Sequence, residues 1–163
     1  GPIVMKGYWN RPEATAEVLD KDGWFRTGDV VEMREGRIYI RGRVKDIIVL
    51  SNGEKVPPGD AEQAILQDGV FEQVMVIGEG RPYLMLLAVS ALQNEKQLCE
   101  RANAHLKDFP GYARIRHVLR VSEPWTVENG LLTPTLKLKR SEIEAQYKNE
   151  IEALYKRPEP CGP

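Results

Sequence analysis

Two short apolar runs, Gln73 to Ile77 and Tyr83 to Val89, are separated by Glu79, Gly80 and Arg81, and this pair constrains the chain more than any other feature. Each run is long enough for a buried strand, and the turn formers between them make the two strands neighbours. They predict the centre of an antiparallel sheet. The flanking sequence supplies helices. Pro57 and Pro58 open one, since proline's fixed φ suits the first turn, and it runs to about Asp68 with Gly69 as the stop. Ser90 caps a second from about Ala91 to Leu106, with Leu92, Cys99, Ala102 and Leu106 at helical spacing and Pro110–Gly111 closing it. His117 to Val121 reads as a short strand and Glu123 to Thr135 as a loop. Ser141 with Glu144 forms a capping box, after which Ile143, Tyr147, Ile151, Leu154 and Tyr155 share one face of a final helix.

Upstream, Asp46 to Leu50 pairs with Glu54 to Val56 across Ser51, Asn52 and Gly53, giving a hairpin before the first helix. Residues 3–43 read as strands and tight turns, with Val30 to Met33 and Arg37 to Arg41 forming a hairpin about Glu35–Gly36. That part is too small and polar for a core of its own. The expected fold is α+β: a small antiparallel or mixed sheet flanked by helices, preceded by the strand-rich edge of a larger N-terminal domain. The expected division is an edge at 1–43, a hinge at 44–46, a compact domain at 47–156 and a flexible tail at 157–163. Gly1 and Pro2 read as the remnant of a cleaved expression tag, with the natural chain extending upstream of Ile3.

A chain of 163 residues needs neither disulfide nor metal to fold. Cys99 and Cys161 lie far apart and suggest no framework or zinc pattern. With 23 Lys+Arg against 24 Asp+Glu, the charge balance argues against nucleic acid as a partner. The longest uncharged stretch, Pro82 to Asn94, falls short of the roughly 20 apolar residues of a spanning helix. His105 and His117 are the only histidines, and no metal site is expected. Arg114, Arg116, His117 and Arg120 beside Tyr112 could meet a phosphate or form the polar face of a strand.

Three stretches could carry chemistry. In Gly23 to Asp29, Gly28 leaves the backbone beside Asp29 uncovered, so this carboxylate could accept two sugar hydroxyls; it could equally be a turn with a capping Asp. Lys137 lies in Leu132 to Arg140, where Pro134 keeps Thr133 extended and Thr135 can bond back. An ammonium there could stabilise charge developing on a phosphoryl group, or belong to a solvated basic run before a helix. Gly42 to Asp46 fits a linker as well as a hinge.

The order and spacing of these stretches resemble the C-terminal end of the adenylate-forming superfamily of acyl-CoA synthetases, luciferases and peptide-synthetase adenylation domains. Gly7 to Thr15 resembles that family's GYxxxPxxT stretch and Gly23 to Asp29 its GWxxTGD motif. Gly42 to Asp46, with Gly53, Pro58 and Glu62, resembles its hinge and glycine loop, and Pro134 to Arg140 its PTxKxxR segment. The resemblance implies that Asp29 binds the ATP ribose, Arg43 helps hold the nucleotide, Lys45 is the hinge, and Gly53 lies where the pantetheine arm enters. Lys137 would reach the acyl carboxylate and α-phosphate during adenylation. Leu136 stands where most relatives have Gly, and Asp60 where many have Glu. The phosphate-binding Ser/Thr/Gly-rich loop and the acyl pocket have no counterpart here.

Leu132 to Arg140 is most similar to the long-chain fatty acyl-CoA synthetases. The resemblance implies the C-terminal part of a long-chain fatty acid–CoA ligase, inactive on its own, that uses fatty acid, ATP with Mg2+, and CoA. Its missing N-terminal domain would be the chief partner. Localisation would be cytoplasmic, with peripheral association at the inner membrane. A carrier protein as acyl acceptor, or a stand-alone binding module without chemistry, are the alternatives.

Overall fold

The computed structural model describes residues 1–157; apart from Arg157, the expected tail at 157–163, with Cys161, lies outside the described residues. The chain divides into two compact units, residues 1–45 and residues 46 onward.

The first unit contains one helix and one hairpin. Helix α1, Pro12–Val18, falls where strands and turns are expected. The signals for it are local: Pro12 sits in the first turn with its φ preset, and Glu13 meets the positive end of the helix dipole. Thr15 then ties the entry down, its Oγ1 accepting from Tyr8 N at 2.9 Å and donating to Arg11 O at 2.8 Å. Strands β1, Asp29–Arg34, and β2, Arg37–Arg43, pair antiparallel, Arg34 facing Arg37. Glu35 (φ 50°) and Gly36 (φ 74°) are both left-handed, as the tightest hairpin turn requires. Val31, Met33, Ile38 and Ile40 on these strands are exposed, so the hairpin buries little of its own apolar surface.

The second unit begins with strands β3, Ile48–Val49, and β4, Lys55–Val56. Helix α2, Pro58–Ile65, follows with Pro58 in its first turn. It ends three residues before Asp68; Leu66 closes it in right-handed conformation, and Gly69 plays no part in stopping it. The two apolar runs become β5, Gln73–Ile77, and β6, Leu84–Val89, paired antiparallel as expected. Gly78 is required at the end of β5, where a Cβ would lie 2.8 Å from a Leu84 methyl. Helix α3, Glu95–Ala104, is capped by Asn94, which accepts from Gln97 N at 3.0 Å. The expected cap, Ser90, is occupied elsewhere: its hydroxyl donates to Val70 O at 2.6 Å and accepts from Leu92 N.

Strand β7, Ile115–Val121, runs parallel to β6, so the sheet is mixed and its order is β5-β6-β7. A parallel neighbour needs a crossover, which α3 supplies. All six residues of central β6 are buried and alternate strictly between two cores. Leu84, Leu86 and Ala88 pack with Val74, Val76, Ala61 and Ile65 of α2, and Leu98 and Ala102 of α3. Met85, Leu87 and Val89 pack with Met75, Ile77, Trp125, Ile143, Ile151 and Leu154. Each of the buried Val, Leu, Ile and Met side chains contributes about 1.5–3 kcal/mol by leaving water. The final apolar face belongs to two helices, α4, Arg140–Gln146, and α5, Lys148–Tyr155, with Tyr147 between them in neither. Helix α4 starts before Ser141, so no capping box forms; Lys139 stands at the cap without a side-chain bond. Among the described residues no helix is long and apolar enough to cross a membrane.

Candidate functional site

In the first unit, the strand register sets Asp29 directly opposite Arg43. Their side chains form an ion pair, Arg43 Nε to Asp29 Oδ1 at 3.0 Å, with the carboxylate partly shielded and the guanidinium largely in water. Gly28, at φ 71°, turns the chain into β1 and accepts from Val44 N at 2.8 Å; Asp29 N donates to Thr27 Oγ1 at 3.1 Å. The structure therefore joins two residues that sequence reasoning placed in separate motifs. Lys45 is the last residue of this unit and sits in a 3-10 turn, Val44–Asp46, with its side chain exposed.

In the second unit, Lys137 is presented by a tight hairpin. Leu136 N donates to Thr133 O and Thr133 N to Lys137 O, both at 2.8 Å, while Lys137 N donates to Thr133 Oγ1 at 3.0 Å. Below them Leu132 bridges Leu138, and Lys139 N donates to Leu131 O at 2.9 Å. Leu131 and Leu132 are buried in the core, so the incoming leg is anchored by apolar contact. Lys137 itself is exposed. The turn between β3 and β4 repeats this frame: Gly53 N donates to Leu50 O at 2.8 Å and Leu50 N to Glu54 O at 2.9 Å. In both hairpins the residue after the turn is left-handed, Gly53 at φ 87° and Leu136 at φ 60°. This position suits glycine, the residue that the family resemblance leads one to expect in place of Leu136.

The Lys137 hairpin forms one wall of an open cleft of ≈ 640 Å³, whose other lining includes Asp46, Glu62 and Arg140. Glu62 is buried in α2, yet it is fully partnered. Arg140 Nη2 donates to both its oxygens at 2.7 and 2.6 Å, and Val76 N of β5 donates to Oε1 at 2.7 Å. Arg140 Nη1 in turn donates to Val76 O at 3.2 Å. Burial pushes the Glu62 carboxyl above its usual range, with Arg140 and the Val76 N–H opposing that rise. Glu62 and Arg140 are 78 positions apart, and sequence reasoning quoted each within a motif without joining them. Gly53, by contrast, does not line this cleft.

The basic residues of β7 do not gather into a single phosphate site. His117 is buried, Arg120 reaches Ser90 O at 3.4 Å, and Arg116 is half-buried. His117 lies 5.5 Å from the Tyr83 ring, and burial lowers its pKa; among the described residues its Nε2 has no hydrogen-bond partner. Another tie that sequence reasoning missed is Gln73, whose amide both accepts from Trp125 N at 2.6 Å and donates to Trp125 O at 2.9 Å. That clamp fixes the start of the long loop leading to the Lys137 hairpin.

A family model described as the AMP-binding enzyme C-terminal domain matches residues 45–159. The chain is 36% identical over 177 residues to the chloroplastic long-chain-fatty-acid–[acyl-carrier-protein] ligase AEE15 of Arabidopsis thaliana, covering 95% of this chain and 24% of that protein. It is 34% identical over 182 residues to long-chain-fatty-acid–CoA ligase 5 of Mus musculus, covering 95% and 27%. Among solved structures, the adenylation domain of a carboxylic acid reductase from Segniliparus rugosus, in complex with AMP and a co-purified carboxylic acid, superposes with a TM-score of 0.85 at 31% identity. That match covers 93% of this chain and 26% of the other. The chain thus spans about a quarter of the length of the curated relatives it matches.

Proposed function

The chain belongs to the family of AMP-binding enzyme C-terminal domains, and on that footing we propose that it is the C-terminal part of an ATP-dependent long-chain fatty acid–CoA ligase. One observation carries the reading: an exposed lysine, Lys137, held on a hydrogen-bonded hairpin at the wall of an open cleft. In the first half-reaction a carboxylate oxygen attacks the α-phosphorus of ATP, the bond to pyrophosphate breaks, and an acyl-adenylate forms. Negative charge accumulates on the non-bridging oxygens as this happens. An ammonium fixed beside them stabilises that transition state more than the ground state. In the second, the CoA thiol sulfur attacks the acyl carbon, AMP leaves, and the thiol proton passes to solvent.

The remaining roles follow in the same frame. Asp29 would bind the ribose hydroxyls of ATP, and Arg43, its ion-pair partner, would hold the nucleotide beside it. Lys45 would be the pivot between the two half-reactions, which the division of the chain at 45/46 supports. Gly53 would lie where the pantetheine arm enters. The exposed Val31, Met33, Ile38 and Ile40 support reading the first unit as the edge of a larger N-terminal domain. Among the described residues no group of three His, Cys, Asp or Glu could hold a metal ion. A cytoplasmic enzyme meeting its acyl substrate at a membrane surface fits this assignment.

A second reading, transfer of the acyl group to a carrier protein, is favoured by the relative named for that acceptor. An acceptor assay with CoA and carrier protein side by side separates the two. The adenylation role itself is tested by Lys137→Ala in the full-length enzyme, which should cut acyl-adenylate formation by about 10²–10³-fold. Thioester formation from preformed acyl-adenylate should change far less. Equal losses in both steps would make Lys137 a structural residue.

A further inference from the structure

We propose that Glu62 and Arg140 are positioning residues for adenylation: their buried ion pair, bound to both backbone groups of Val76, sets the direction in which the hairpin presents Lys137. The proposal rests on the adenylation role given to Lys137 above.

The hydrogen bonds inside the hairpin fix its shape but not its orientation on the sheet. The incoming leg is held by the buried side chains of Leu131 and Leu132, whose apolar contact is non-directional, and by their N–H groups donating to Thr126 O at 3.2 and 2.9 Å, bonds within its own loop. The outgoing leg is held by Arg140, three residues beyond Lys137 and the first residue of α4. Its guanidinium reaches α2 through Glu62 with one nitrogen and β5 through Val76 O with the other. Glu62 closes the loop by accepting from Val76 N. Three directional bonds from Arg140 thus tie the base of the hairpin to α2 and β5, a fourth ties Glu62 to β5, and Glu62, Arg140 and Lys137 all line one cleft. Only a planar fork can serve Glu62 and Val76 O at once. Lysine keeps the charge but presents a single nitrogen on a flexible stem. Three residues of chain span at most about 10 Å, so a small rotation at Arg140 moves the Lys137 ammonium by an ångström or more.

Arg140→Lys in the full-length enzyme should therefore slow acyl-adenylate formation at saturating substrate by about 10²-fold, the cost of displacing a charge by about 1 Å. The KM for ATP and the conversion of preformed acyl-adenylate to thioester should stay unchanged; the latter also shows that the variant is folded. The double variant Lys137→Ala/Arg140→Lys should be no slower than Lys137→Ala alone, because Arg140 acts only through Lys137. Glu62→Gln, which keeps the shape of the side chain, should repeat the pattern and serves if Arg140→Lys fails to fold. Losses that multiply in the double variant, equal loss in both half-reactions, or a normal adenylation rate in the single variants would each overturn the positioning role. A wild-type enzyme that makes no acyl-adenylate from fatty acid and ATP would overturn the functional reading, and the positioning role with it.

Discussion

Leu136 and Gly53 hold the same place in two hairpins with the same hydrogen-bond frame, but only Gly53 suits its left-handed backbone. A left-handed non-glycine costs roughly 1–2 kcal/mol, offset in part because glycine loses more freedom on folding. Leu136 is 72% exposed, so its side chain recovers little by packing. Leu136→Gly should leave stability unchanged or raise it by up to about 1 kcal/mol, and Gly53→Ala should lower it by about 1 kcal/mol. At Gly53 a Cβ meets nothing within 4 Å, so that loss would come from the backbone alone. Chemical denaturation of the chain and both variants checks the pair; a stable Gly53→Ala would show that the turn relaxes. Residues of this kind were legible as departures from a motif. The Glu62–Arg140 pair was not, because a contact across 78 positions leaves no local mark on either neighbourhood.

Strands β5 and β6 could be read directly because burial on both faces demands uninterrupted apolar runs, which few other structures need. Helix starts were less legible. Ser90 and Asn94 are both good caps by type, and the choice fell to Asn94 because the Ser90 hydroxyl is bound to Val70 O. The break at Tyr147 was invisible for a related reason: Ile143, Ile151 and Leu154 keep one apolar face across it. Between elements, the loop after α2 is tied to α3 by Asp68. Its carboxylate takes two bonds of 2.7 Å from Arg101 and one of 3.2 Å from Val70 N. Arg101 holds the Asp68 pKa below its ordinary 3.8, with the Val70 N–H and nearby His105 acting in the same direction. A carboxyl depressed in the folded state contributes stability that is complete above its unfolded value and lost as pH falls through its folded value. Asp68→Asn should therefore lower the Tm at pH 7, and the gap to wild type should close as melts are taken below pH 3.8. A gap that persists to pH 2 would mean that the tie works through shape and not charge.

For the whole molecule, the proposed function makes alternation between two half-reactions the decisive step, with Lys45, the last residue of the first unit, as its proposed pivot. Proline at position 45 fixes φ near −65° and also restricts Val44. Lys45→Pro in the full-length enzyme should make acyl-adenylate and pyrophosphate at a near-normal first-turnover rate but convert preformed acyl-adenylate to thioester far more slowly. An unimpaired thioester step would place the pivot elsewhere. The composition break near residues 42–46 lies where the two units divide, whereas the parallel entry of β7 depends on the crossover through α3 and has no signature in β7 itself. Strand β5 ends the sheet, and a strand in that position offers unpaired N–H and C=O groups on which a foreign chain can build. At Val76 both groups are already occupied, one by Glu62 and the other by Arg140. The ion pair thus also blunts this edge at Val76, where it takes the two backbone groups that an added strand would need.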